Sequence, residues 1–476
     1  MKWDGKPLAP GFQPGYTFYK TKQHIFAQGG FYKMKVIETK YGKMTGVDHG
    51  DYLEYRSVPY AKPPVGKLRW RAPQELEQWD GIYAADTYNA RCMQMPQMDP
   101  FYLKEFYTDP FFDREMSEDC LYVNIWTPKE ESNTPYPVAF WIHGGAFMGG
   151  YNSEQEFDGE AYCKRGVILV SVEYRCNVFG FLAHPWLDAE NERGISGNYG
   201  MLDQVAALKW VYENIEAFGG DPKNITVFGQ SAGAMSTQTL VSSPLTKDWI
   251  AKAIFQSGGG YQNGLNRDDM TLAFQEKLGS YFVEEAGAKN LEELRALSAE
   301  KVMELFPKFL GKAFPEAKGL FLVPTIDGYL LEDSYSALIE QMKIKDIPYM
   351  LGSTADDILV TPEIKQKGEH GPVYDGCLSF CRKLAEAGRQ PAWMYEFTRK
   401  LPGDENGAFH SSELWYMFGT VKRCWRPLEE GDYALSEQMI DCWTNFMKYG
   451  NPNGNAEGSF KPCRGDEKEV FEFTVR

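Results

Sequence analysis

An α/β fold built on a mostly parallel sheet is what this sequence predicts, and two observations carry the prediction. Short apolar runs rich in β-branched and aromatic residues recur along the chain, and helical patterns separate them. The runs are continuous rather than alternating with polar residues, as strands covered on both faces require. They are VAFWI at 138–142, VILVSV at 167–172, ITVF at 225–228, AIF at 253–255, YML at 349–351 and AWMYEF at 392–397.

Ahead of these runs, KVIETKYGKMTGV at 35–47 reads as a β-hairpin with Gly42 in its turn, which adds an antiparallel edge to the sheet. The clearest helix follows GNYG: Met201, Val205, Leu208, Val211, Ile215 and Phe218 recur at spacings of three and four and share one face. Gly219 and Gly220 end it. From about 257 to 345 the pattern turns helical and charged, with LEELRAL and KVMELF, so a helical insertion is expected beside the sheet as part of a cap. Cys377 and Cys381 are four apart and fall on one face of a later helix, as buried apolar groups rather than metal ligands.

Size and charge bound the function. The chain of 476 residues is 43% hydrophobic and reads as one large catalytic domain, 1–476, with the insertion inside it. A net charge of −16, from 66 acidic and 50 basic residues, repels phosphate backbones and anionic lipid, so neither nucleic acid nor membrane is an expected partner. No run approaches the roughly 20 apolar residues of a bilayer span, and MKWDGKPLAP lacks the pattern of a secretory leader. A soluble protein, cytoplasmic rather than secreted, is the expectation. Nine cysteines without paired CxxC elements fit neither a disulfide scaffold nor a zinc site, so no metal is expected.

Two glycine-rich segments carry the chemistry. ITVFGQSAGAMS places Gly229-Gln230-Ser231-Ala232-Gly233 between a buried strand and a helix of small residues. A sharp strand-to-helix turn needs glycine on both sides of a strained nucleophile, and the helix N-terminus favours developing negative charge there. HGGAF at 143–147 follows the VAFWI strand, where glycine lets backbone N–H groups approach an oxyanion closely. Gly145 and Ala146 are the candidate donors, with Ala232 as the third.

A serine nucleophile needs a base. In the chain order serine, acid, histidine, only His370 and His410 follow Ser231. His370 lies in KQKGEHGP, a charged turn, and reads as a solvated loop residue; His410, in GAFHSSELWYMFG, is the candidate base. An acid should follow a strand between them, and PYMLGSTADDILV offers Asp356 and Asp357. Pocket walls are expected from 93–112, from the insertion after Ser257 and from 415–418.

Taken together, these segments resemble the type-B carboxylesterase family, which includes cholinesterases and bacterial para-nitrobenzyl esterases. The resemblance spans nearly the whole chain: VPYAKPPVGKLRWRAP at 58–73, SEDCLYVNIWTP at 117–128, HGGAF, the run from GNYGMLDQVAALKW to FGQSAGA at 197–234, HSSELWYMFG at 410–419 and WTNFMKYGNPNG at 443–454. It implies an α/β-hydrolase fold, no cofactor, and cleavage of small-molecule carboxylic esters by a Ser-Glu-His triad through an acyl-enzyme. The family's acid is the second residue of an Asp-Glu pair, and the matching position here is Asp357, one methylene shorter, with Asp356 in reserve. Gln230 stands where many relatives carry glutamate, which argues against the cation preference of cholinesterases. Cys92 and Cys120 match a pair bridged in secreted relatives and equally suit free thiols in a reducing compartment. The sequon at Asn224 falls inside a predicted strand, so glycosylation is not expected there. Some relatives have lost catalysis and act as adhesion proteins; the presence of both Ser231 and His410 weighs against that reading.

Overall fold

The computed structural model describes residues 35–475. Strands β1 (Val36–Thr39) and β2 (Gly42–Asp48) form the expected antiparallel hairpin. Its turn is Lys40-Tyr41, not Gly42, which opens β2. Gly42 is still required, because a Cβ there would run into the indole of Trp79. The antiparallel region extends further than a hairpin: β3 (Tyr52–Pro59) pairs with β2 and with β7 (Tyr122–Pro128), while β4 (Ile82–Ala85) joins β2 in parallel. β5 (Arg91–Cys92) and β6 (Met116–Ser117) form a separate short ladder.

Six parallel strands make the centre: β8 (Tyr136–Ile142), β9 (Ile168–Val172), β10 (Gly220–Gln230), β11 (Lys252–Gln256), β12 (Tyr349–Thr354) and β13 (Ala392–Phe397). β14 (Pro462–Cys463) and β15 (Phe471–Phe473) both pair with β13 and complete a 13-stranded sheet in the order β1-β2-β3-β7-β9-β8-β10-β11-β12-β13-β14. This is the α/β-hydrolase arrangement.

The continuous apolar runs have the reason expected of them. Along β8, Val138, Phe140 and Ile142 enter one core while Ala139 and Trp141 enter the other, and β9 and β10 divide in the same way. Side chains alternate across a strand, so a sheet covered twice needs apolar residues at every position. The first core takes helix Tyr199–Asn214, whose buried face is wider than predicted: Ala207 and Trp210 are buried with Met201, Leu208 and Val211, while Val205 is only half-buried. A 3-10 turn, Ile215–Phe218, extends it to Gly219, which adopts φ 87°. Helices Leu272–Ala286, Leu291–Arg295, Ala299–Ala317 and Tyr335–Glu340 occupy the segment expected to be helical. Cys377 and Cys381 are both buried on helix Pro372–Glu386. Asn224 lies in β10, and its side chain is held by Lys252.

No helix among the described residues is long and apolar enough to cross a membrane.

Candidate active site

The carboxyl ends of β8, β10 and β12 deliver the loops that meet over the sheet, the edge where open α/β sheets bind their ligands. After β10 the chain reverses at Ser231, which takes φ 57° and ψ −123° and caps helix Ala232–Ser242. That backbone strain, typically 1 to 3 kcal/mol, is held by surroundings that admit no alternative. The Ser231 N–H donates to the Gln256 carbonyl at 2.8 Å, anchoring the bend to β11. Gly233 is needed by contact rather than conformation, since a Cβ there would land on the Ile142 carbonyl at the end of β8. Close approach of the elbow to β8 is therefore what brings HGGAF beside Ser231.

In that loop Gly145, Ala146 and Phe147 all have positive φ, at 102°, 55° and 58°. The turn is closed by the Gly145 carbonyl, which accepts from Met148 N–H at 2.8 Å and Gly149 N–H at 3.2 Å. Among the described residues, the N–H groups of Gly145, Ala146 and Ala232 donate to no other group of the protein. His143 below them is buried, stacks on Tyr174 with ring centroids 4.4 Å apart, and is held by burial at about 4, so it stays neutral.

The structure separates the two aspartates that the sequence left open. The Nδ1–H of His410 donates to Oδ1 of Asp357 at 2.5 Å. Asp357 is in turn held by the N–H groups of Thr354 at 3.1 Å and Ile358 at 2.8 Å. Asp356 turns the other way: it accepts from Ala408 N–H at 2.8 Å and pairs with Lys365 at 2.5 Å. Its own N–H donates to the Ala408 carbonyl at 2.9 Å, so residue 356 ties down the loop that carries His410. The shorter side chain of Asp357 reaches because that loop is bridged onto the end of β12 at Asp356 and Phe409.

Burial opposes charging of His410, and the Asp357 carboxylate beside it prevails, leaving the imidazole above its ordinary value. Its other nitrogen meets a residue the sequence did not flag for this contact. Nε2 of Gln230 lies 3.2 Å from Nε2 of His410. With Nδ1 carrying the proton to Asp357, that contact is a donation from the Gln230 amide to the imidazole lone pair. Ser231 forms no side-chain hydrogen bond among the described residues, so the direct Ser231–His410 bond is not made in this arrangement. Gln230 directly precedes Ser231, and its carboxamide takes the acceptor first.

One cavity of about 490 Å³ is lined by Ser231, His410, Gln230, Gly145, Ala146 and Ala232. Its walls include Tyr102, Phe106 and Tyr107 from the predicted 93–112 segment and Leu265 and Leu320 from the insertion. The 415–418 stretch does not line it: Trp415, Tyr416, Met417 and Phe418 are buried in the second core, and Leu414 takes the wall position. A neighbouring cavity of about 580 Å³ shares Phe106, Tyr107 and Gly145. His370 stands apart, stacked on Tyr374 and 3.1 Å from Glu396. Among the described residues no cluster of His, Cys, Asp or Glu is arranged to hold a metal ion.

The carboxylesterase family matches residues 33–375 and 369–476, essentially the whole chain. The chain belongs to the carboxylesterase family. Among its relatives, the para-nitrobenzyl esterase of Bacillus subtilis (strain 168) is 33% identical over 475 residues, covering 89% of this chain and 91% of that one. The fumonisin B1 esterase of Sphingopyxis macrogoltabida is 31% identical over 465 residues, covering 88% and 82%. A thermophilic PNB esterase superposes with a TM-score of 0.79 at 29% identity, covering 93% of this chain and 97% of its own. As a carboxylesterase the protein is a serine hydrolase of small-molecule carboxylic esters, using a Ser-His-Asp triad and an acyl-enzyme intermediate.

In this carboxylesterase the residues that sequence reasoning missed are polar and buried. Glu413 lies beside Asp357 and His410, pushed to about 7 by burial and by the neighbouring Asp357, with Gln256 as its side-chain partner at 3.4 Å. Glu154 and Glu156 also line the cavity. Their signal was present as two acids in SEQEF, directly after the glycine loop, but pattern alone does not say which way they face.

Proposed function

We propose that this carboxylesterase is a single catalytic domain with a helical insertion at about 257–345, and that Ser231, His410 and Asp357 are its triad. Ser231 Oγ attacks the ester carbonyl while Nε2 of His410 takes its proton, once the Gln230 amide has yielded that nitrogen to the serine. Asp357 holds the tautomer and stabilises the imidazolium. The oxyanion rests on the N–H groups of Gly145, Ala146 and Ala232, where each donor is worth about 3 to 4 kcal/mol by precedent. His410 then protonates the departing alcohol, and water releases the acyl group by the same route.

The observation that carries this reading is the convergence, in one cavity, of a strained serine, unengaged backbone donors and a histidine whose far nitrogen is bound to a carboxylate. para-Nitrobenzyl esters, the class in the name of the Bacillus relative, are the first substrates to try. Activated aryl esters should give a burst of product where deacylation is the slower step, and an organophosphate should label Ser231. A Ser231→Ala protein that keeps ordinary turnover and still forms a covalent adduct elsewhere would exclude the assignment.

We infer a cytoplasmic location from the small number of cysteines spread along the chain, which do not form a disulfide scaffold. Cys92 and Cys120 are free and buried beside each other, and Cys176 joins them, its N–H donating to Sγ of Cys92 at 3.2 Å.

A further inference from the structure

The cavity that holds Ser231 abuts a second one, which the chemistry of ester cleavage leaves unused. The two measure about 490 and 580 Å³ and share Gln97, Phe106, Tyr107, Gly145 and Gly150 in their walls. Gly145 and Gly150 carry no side chain, so beside a candidate oxyanion donor the boundary between the cavities is bare backbone.

The second cavity suits an apolar occupant. Leu103, Phe112, Met148, Phe306 and Leu310 line it and do not line the first. Polar side chains beside them are engaged within the protein. The Gln94 amide donates to the carbonyls of Cys92 at 3.1 Å and Gly150 at 3.0 Å, and accepts from Gly150 N–H at 2.9 Å. The Tyr107 hydroxyl donates to Glu154 at 2.8 Å, Asp109 accepts from Phe111 N–H at 2.9 Å, and Arg91 pairs with Asp113 at 3.1 Å. A polar group entering here would shed its water for partners already taken, whereas a hydrocarbon chain gains by its burial. Phe306, Leu310 and Phe314 recur every four residues along helix Ala299–Ala317 and so share a face. They pass from buried through half-buried to 55% exposed, which continues the apolar stripe from the cavity wall out to solvent.

Which half of an ester points this way follows from the proton transfer. His410 has to reach the alcohol oxygen as it departs, and it lines the first cavity but not the second. The alcohol therefore belongs in the first cavity, and the substituent that crosses Gly145 is the one on the other side of the carbonyl carbon. We propose that the second cavity is an acyl-chain subsite, and that the preferred substrates are esters of medium- to long-chain aliphatic acids with a compact alcohol. The proposal deepens the esterase reading and rests on it for placing the ester carbonyl at Ser231.

The test lengthens each half of the ester separately with the wild-type enzyme. Octanoate against butyrate, both as 4-nitrophenyl esters, adds four methylenes to the acyl chain; octyl acetate against butyl acetate adds the same four to the alcohol. The first change should raise kcat/KM roughly 10- to 100-fold and the second by about threefold or less. Leu310→Trp fills the second cavity from its half-buried wall and should bring the octanoate-to-butyrate ratio down toward one, while Leu310→Ala should move the best acyl length upward. Equal kcat/KM for butyrate and octanoate, a gain that follows the alcohol chain instead, or a folded Leu310→Trp enzyme with the wild-type ratio overturns the proposal. Binding supplies a readout that needs neither turnover nor a variant: by calorimetry, octanamide should bind the intact wild-type protein roughly 10-fold or more tightly than butanamide. Equal affinities overturn the subsite. A protein that keeps the octanamide preference but cleaves no ester would sink the esterase reading and leave the subsite standing.

Discussion

His410 sits between groups that pull its proton affinity in opposite directions. Burial and the Gln230 amide at 3.2 Å favour the neutral ring, while the Asp357 carboxylate favours the charged one, and the balance lies above the ordinary imidazole value. Catalysis requires the neutral ring, so kcat/KM should fall as pH drops through that raised value, giving an acid limb above about 6.5. Asp357→Asn removes the raising influence: the limb should move down, and turnover should fall by up to about 10⁴-fold because the tautomer is no longer held. Asp356→Asn loses its pair with Lys365 but can still accept from Ala408 N–H, so most activity should remain. A pH-rate profile of the wild type and both variants decides it; a crippled Asp356→Asn beside a healthy Asp357→Asn would reverse the assignment.

At the scale of elements, the elbow and the glycine loop are one construction. Gly233 is packed against the Ile142 and His143 carbonyls, where β8 passes into the loop that presents Gly145 and Ala146. Gly233→Ala should force that loop away from Ser231, costing on the order of 1 to 3 kcal/mol in stability and about 10²-fold or more in kcat as donors are misplaced. Gly311 is the control: it lies in helix Ala299–Ala317 with open space where a Cβ would go. Gly311→Ala should leave kcat unchanged and stabilise the protein by up to about 1 kcal/mol. Measuring kcat beside denaturation midpoints separates the two effects, and a Gly233→Ala enzyme of normal kcat would contradict this coupling.

Across the molecule, the cavity wall is tied to the C-terminal part of the chain by a buried ion pair. Glu105, on helix Pro100–Phe106, accepts from Nε of Arg426 at 3.0 Å and from the indole N–H groups of Trp415 at 3.1 Å and Trp425 at 2.8 Å. Arg426 also donates to Asp404 at 2.8 Å, so the guanidinium is satisfied on two sides. Arg426→Met would leave a buried carboxylate without its cation, a loss on the order of 3 to 5 kcal/mol. Because Phe106 of the same helix lines both cavities, KM for bulky esters should rise as the denaturation midpoint falls. An unchanged midpoint would show that the pair does not hold the wall.

Features that depend on neighbours along the chain are legible in the sequence. The continuous strands of β8 to β13, the glycine-flanked bend at Ser231 and the late position of His410 follow from period, glycine spacing and chain order. The tertiary structure decided what depends on residues meeting from distant segments. Asp356 and Asp357 differ by one position, but opposite side-chain directions at the end of β12 send one to the loop backbone and the other to His410. Gln230 at Nε2 of His410, Leu414 rather than 415–418 on the cavity wall, and the inward-facing Glu154–Glu156 pair arise in the same way. A side chain's partner is set by which loops converge over the sheet, and linear spacing carries no record of that convergence.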